Sequence, residues 1–121
     1  GSRRELHLDE LVQDAEIFAP MLPLNDSTRG LVTRELLLAL PVGCLVVMVT
    51  RAAICDVPTL RRRVLDNELA LAADVFDREP LPLDDPLLGH PNAVHTPHNA
   101  GRTIHSNEQL AEAWAAQFRA W

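Results

Sequence analysis

Apolar residues in this chain come in short runs, separated by polar and proline-rich breaks, and the runs alternate between helical and extended periods. Leu8, Leu11, Val12 and Ala15 share one face of a helix that Asp9 is placed to cap. Ile17 to Leu22 is too short for a helix and reads as a strand, although Pro20 inside it removes a ladder donor and suits an edge. Asn25 to Gly30 is a turn-rich loop. Thr33 then caps a helix that turns Leu36, Leu37 and Leu40 inward and stops at Pro41. Cys44 to Val49 is continuously apolar and rich in β-branched residues, the mark of a strand covered on both faces.

The second part of the chain repeats the alternation. Asp56 caps a helix with Pro58 in its first turn, Leu60, Val64 and Leu65 on its apolar side, and Asn67 at its end. Leu69 to Val75 is a strand that stops at Asp74, and a Pro- and Asp-rich loop carrying Glu79 follows. Ala93 to Thr96 is a strand that delivers Pro97-His98 at its tip. Ser106-x-x-Gln109 fits a capping box for a last helix, on which Leu110, Trp114, Phe118 and Trp121 form a packing surface. Strands and helices in this order predict an α/β protein with a parallel sheet.

Composition narrows the class. A chain of 121 residues is one domain's worth. Eleven Lys+Arg against seventeen Asp+Glu leave a net charge of −6, which argues against a nucleic-acid partner. The consecutive Arg61, Arg62 and Arg63 are expected around the solvent side of their helix. Cys44 and Cys55 lie in or beside apolar runs, as buried free thiols of a reducing, cytoplasmic setting do. No apolar run is long enough to cross a membrane, and Gly1-Ser2 leads into charge rather than a signal sequence. Gly1-Ser2 reads as a cloning scar, so the natural protein is expected to continue upstream. It is expected to continue past Trp121 as well.

Two strands that stop at an acid and at a histidine predict one site at the carboxyl edge of the sheet, where open α/β folds bind ligands. Glu79 and His98 meeting there would make a general acid/base pair, because a carboxylate supports a histidine that cycles its proton. His90, His95, His98 and His105 raise the question of a metal. Only His95 and His98 are close in sequence, and no metal site is assigned.

Asp74-Val75-Phe76-x-x-Glu79-Pro80-Leu81-Pro82, Pro86-Leu87-Leu88, Asn92 and Thr96-Pro97-His98-x-Ala100-Gly101 together resemble the signature of the D-isomer-specific 2-hydroxyacid dehydrogenases. The likeness extends upstream through Pro23-Leu24-x-x-x-Thr28-Arg29-Gly30-Leu31 to Arg51. It implies the second half of a Rossmann-like, doubly wound nucleotide-binding domain over residues 1–121. The glycine-loop half and the substrate domain lie outside this sequence, in which no G-x-G-x-x-G occurs.

The resemblance also implies roles. Arg51 would bind the carboxylate and carbonyl oxygens of a 2-hydroxy/2-oxo acid as a fork. His98 would exchange a proton with the substrate oxygen, and Glu79 would orient its ring and favour its charged form. Asp74 would reach the nicotinamide carboxamide of NAD or NADP, while Thr50, His98 and Ala100 would line the cofactor. Arg51-Ala52 stands where the family has Arg-Gly, and the added Cβ raises the question of backbone fit.

Two functional classes follow. One is a hydride-transferring oxidoreductase acting on a small 2-hydroxy/2-oxo acid. The other is a non-catalytic folding, assembly or binding module on the same scaffold. Without a glycine loop, the isolated chain is expected to bind NAD weakly or not at all. It is also expected to form a homo-oligomer through the Ile17–Leu22 edge or the Trp114–Phe118–Trp121 face.

Overall fold

A computed structural model describes residues 7–119. Four parallel strands run side by side in chain order: β1 (Ile17–Phe18), β2 (Leu45–Met48), β3 (Ala70–Ala73) and β4 (Ala93–His95). Phe18 pairs with Val46, Val46 with Leu71, and Ala73 with His95. Because every pair is parallel, all four strands deliver their following loops to the same edge. The expected α/β, Rossmann-like sheet is therefore present.

Helices α1 (Leu8–Val12), α2 (Arg34–Ala39) and α3 (Val57–Leu65) join one core with a single face of that sheet. Val12, Leu37, Leu60 and Val64 meet Phe18, Val46, Met48, Leu71 and Ala73 there. The alternate residues Leu45, Val47, Ala70 and Ala72 are only half-buried. The continuous apolar run of β2 thus does not imply two equally covered faces, because all three helices pack on one side. The thiols of Cys44 and Cys55 are free and buried, and burial pushes Cys55 up to about 12.

Several local signals operate as expected. Thr33 Oγ1 accepts the Leu36 N–H, and Leu40 turns extended before Pro41, which disfavours helical backbone in the residue preceding it. Asp56 Oδ1 accepts the Thr59 N–H at 3.0 Å. At the far end of α3, Asn67 adopts φ +59° while Glu68 and Asn67 donate to Arg63 O and Val64 O. That closes the helix with a left-handed cap.

Other expectations are corrected. Asp9 lies inside α1 rather than at its cap, which is His7 without a side-chain bond. The first strand keeps only Ile17 and Phe18, and Pro20 falls beyond it. Helix α4 (Ile104–Arg119) begins before Ser106, because Thr103 Oγ1 accepts the Ser106 N–H and acts as the cap. None of its residues is buried, and Trp114 and Phe118 are exposed. Trp121 lies outside the described residues.

The arginine run also departs from expectation. Only Arg62 faces solvent. Arg63 is 5% exposed, with Nη1 donating to Leu37 O and Leu40 O and Nε to Glu68 Oε2. Its guanidinium satisfies carbonyls that the end of α2 leaves without helical partners. Arg61 forms a two-oxygen pair with Asp85 at 2.7 and 2.8 Å. Asp85 also accepts the Leu87 N–H, so the loop after β3 is held down while Leu87 enters the core.

Candidate functional site

The parallel register brings three strand ends together. Arg51 follows β2, Asp74 follows β3, and Thr96 to His98 follow β4. Arg51, Asp74, Glu79 and His98 line one cleft of about 550 Å³, joined by Val49, Pro97, Gly101 and Arg102. Thr50 and Ala100 are not among its lining residues. The Thr50 hydroxyl is turned away to Pro20 O at 3.4 Å.

Asp74 organises the loop that carries the histidine. Its carboxylate accepts Thr96 Oγ1 at 2.5 Å, the Asn99 N–H at 2.9 Å and the Ala100 N–H at 3.0 Å. It is 3% exposed. Burial works to raise its pKa, but the hydrogen bonds from Thr96, Ala100 and Asn99 outweigh burial and hold it below the ordinary value. These contacts bracket His98, whose φ of +53° is unusual for a residue with a Cβ. Such a backbone costs about 1–3 kcal/mol and persists only where its surroundings over-determine it. Asp74 supplies that constraint from both sides of His98.

Glu79 reaches the histidine from the loop after β3. Glu79 Oε2 lies 2.7 Å from His98 Nδ1, and Glu79 Oε1 accepts the Phe76 N–H at 2.9 Å. The bond with His98 is the first cause of a lowered Glu79 pKa, followed by the Phe76 N–H. An ionised Glu79 can only accept, so Nδ1 carries a hydrogen and Nε2 is left as the nitrogen that can exchange a proton with a ligand. Glu79, Pro97 and His98 also border a second cleft of about 460 Å³, walled by Phe76, Leu81, Leu83 and Leu88.

Arg51 has extended backbone, and its Nη1 donates to Thr50 O at 2.7 Å. That leaves donors for an incoming anion. Ala52 sits in a short 3-10 turn, Ala52–Ile54, buried in the core at 7% exposure and without left-handed backbone. The added Cβ therefore fits. The neighbouring turn is stitched from outside, because Gly30 N–H donates to Ala53 O and Val32 N–H to Ile54 O. Gly30 has φ +66°, which explains a glycine in Thr28-Arg29-Gly30.

Of the other histidines, His95 borders the second cleft with His98, and none lines the cleft of Arg51 and Asp74. His95 meets the Phe76 ring edge-on at 6.2 Å, and His90 Nδ1 accepts the Asn92 N–H. Arg102 is the charged cleft residue that sequence reasoning missed. It is one basic residue in a loop, and nothing in the local sequence distinguishes it from a solvated surface arginine.

Comparison with known proteins agrees with this geometry. Glyoxylate/hydroxypyruvate reductase B of Pectobacterium atrosepticum is 32% identical over 109 residues, 89% of this chain and 34% of the relative. The (S)-sulfolactate dehydrogenase of Chromohalobacter salexigens is 35% identical over 109 residues, again 89% of this chain and 35% of the relative. A crystal structure from Thermus thermophilus superposes with a TM-score of 0.79 at 36% identity, covering 88% of this chain and 34% of that one. A D-isomer specific 2-hydroxyacid dehydrogenase from Xanthobacter autotrophicus Py2, solved with NADPH and MES, gives a TM-score of 0.72 at 35% identity. It matches 82% of this chain and 32% of its own. The chain spans about a third of the length of the curated relatives it matches. The sequence profile of the NAD binding domain of D-isomer specific 2-hydroxyacid dehydrogenases matches residues 1–100. Together with the parallel sheet and the residues gathered at its edge, that match makes this chain a member of the D-isomer specific 2-hydroxyacid dehydrogenase family, within its NAD-binding domain.

Proposed function

We propose that these residues form part of a longer enzyme, an NAD(P)-dependent oxidoreductase that interconverts a small 2-hydroxy acid and its 2-oxo acid. The observation that carries the reading is the 2.7 Å contact between Glu79 and His98, placed in one cleft with Arg51. The alternative of a binding-only module has no support in the relatives, whose names describe reductases and dehydrogenases.

The cleft fits the nicotinamide end of the cofactor. Asp74 Oδ2 accepts only the Ala100 N–H, so it retains an acceptor position for a carboxamide donor, and Asp74 lines the cleft. When bound, a nicotinamide dinucleotide supplies or receives the hydride. The roles of the chain's own residues follow from their chemistry. Arg51 anchors the substrate carboxylate through its planar fork and polarises the neighbouring oxygen. His98 Nε2 gives a proton to that oxygen during reduction and removes it during oxidation. Glu79 keeps Nδ1 protonated and the ring aimed. Asp74 holds the His98 backbone in place.

His98→Gln in the complete enzyme tests the assignment. Turnover should fall by about 10²–10⁴, the usual share of a general acid/base, while cofactor affinity stays within about threefold. Near-normal turnover in this variant would remove His98 from the mechanism.

A further inference from the structure

Among the described residues, the arginines divide by whether a carboxylate answers them. Arg61 pairs with Asp85, and Arg63 with Glu68. The remaining ion pair joins His98 to Glu79. Arg51 and Arg102 take part in none of these pairs, and both line the cleft that holds His98. The two carboxylates of that cleft are otherwise engaged. Asp74 accepts three hydrogen bonds from the loop that carries His98, and Glu79 is held by His98 and the Phe76 N–H. Two arginines therefore line one cleft without an ion-pair partner among the described residues, although the charge of Arg51 helps to lower the Glu79 pKa.

One guanidinium is enough for the carboxylate of a 2-oxo acid, because its fork matches both carboxylate oxygens. A second arginine in the same cleft is then left over by a simple monocarboxylate. Arg102 immediately precedes Thr103, the cap of the sixteen-residue helix α4. Exposed N–H groups at a helix start add to the attraction for negative charge. We infer that the substrate is a 2-oxo acid bearing a second acidic group, a carboxylate, sulfonate or phosphate, and that Arg102 is the residue that selects it. This rests on the reading of the cleft as the dehydrogenase site and adds the substrate class to it.

The test compares two substrates in the complete enzyme. Reduction of oxaloacetate, which carries a second carboxylate, is measured against reduction of pyruvate, which has none, in the wild type and in Arg102→Gln. The wild type should prefer oxaloacetate. In Arg102→Gln the ratio of kcat/KM for the two acids should fall about 10- to 100-fold, the range set by losing a hydrogen bond to a charged group. Arg102→Lys should recover part of the ratio, since a point charge replaces the fork. Malonate, a dicarboxylate without a keto group to reduce, reads binding without turnover. It should inhibit pyruvate reduction competitively, and about 10-fold less well in Arg102→Gln. Arg102 is exposed, so its replacement leaves the core intact. An unchanged substrate ratio with unchanged malonate inhibition overturns the role of Arg102 while leaving the dehydrogenase reading in place. Absence of NADH- or NADPH-dependent reduction of pyruvate, oxaloacetate and the 3-sulfonate and 3-phosphate analogues of pyruvate overturns the dehydrogenase reading itself, and this inference with it.

Discussion

Asp74 Oδ2 accepts the Ala100 N–H at 3.0 Å, tying the end of β3 to the loop that holds His98 in left-handed backbone. Asp74→Ala should release that loop and leave three donors without their acceptor. The expected loss is about 2–4 kcal/mol of stability, read by urea denaturation, together with a marked fall in turnover. A variant with unchanged stability and turnover would show that the loop keeps its shape without Asp74. Because the folded-state pKa of Asp74 is lowered, its contribution is complete above the ordinary value of 3.8. It is lost as pH falls below that value through the depressed folded pKa.

Glu79 has a lowered pKa as well, first through its bond with His98. Loss of the charged carboxylate should therefore begin only below its ordinary value of 4.5. Glu79→Gln should cut turnover by about 10- to 100-fold and remove any acidic limb of the pH–rate profile set by this group. A profile that keeps the same acidic limb in the variant would count against the pairing.

Arg63 offers a test of the scaffold alone. Replacing it with Ala leaves Leu37 O and Leu40 O without their guanidinium donor and removes the Glu68 pair. Thermal or urea unfolding should show a loss of about 3 kcal/mol, consistent with truncating a buried, multiply bonded charge. Arg62→Ala, at the exposed neighbour, should change stability by less than about 0.5 kcal/mol. Equal effects at the two positions would contradict the clamp.

The isolated 121-residue chain should bind NAD or NADP weakly or not at all. It carries no glycine-rich loop to hold the pyrophosphate, and the cleft described above accounts only for the nicotinamide end. Calorimetry should give a dissociation constant weaker than about 100 μM, roughly −5.5 kcal/mol of binding. A low-micromolar value would show that the pyrophosphate finds another seat.

Self-association of the isolated chain is expected through α4. Leu110, Trp114 and Phe118 are 50%, 59% and 81% exposed along one helix, an apolar stripe that water disfavours. Light scattering at tens of micromolar should show a dimer or larger species, and Trp114→Ser with Phe118→Ser should shift it toward monomer. A wild-type monomer would remove this face from consideration. The Ile17–Leu22 edge is the weaker alternative, since only two of its residues form strand.

Sequence alone determined the order of elements, the parallel sheet and the candidates Arg51, Asp74, Glu79 and His98. It could do so because hydrophobic period, capping residues and prolines act within a few residues of where they stand. Thr33 and Asp56 cap their helices as read, and Asn67 ends α3 in left-handed backbone. The tertiary structure decided what depends on residues distant in sequence. Arg63 looked like one of three solvated arginines until the end of α2 placed two carbonyls against it, 23 and 26 residues away. The β2 run looked covered on both faces because apolar content does not say on which side helices pack. Asp74 could be read as a ligand for the cofactor, but its hold on Asn99 and Ala100 spans 25 and 26 residues and has no local signature. Arg102 joined Arg51 in one cleft only because β2 and β4 end at the same edge of a parallel sheet. Local periodicity encodes which elements form; the long-range pairing of strands sets which charged side chains share a cleft and which are neutralised within the fold.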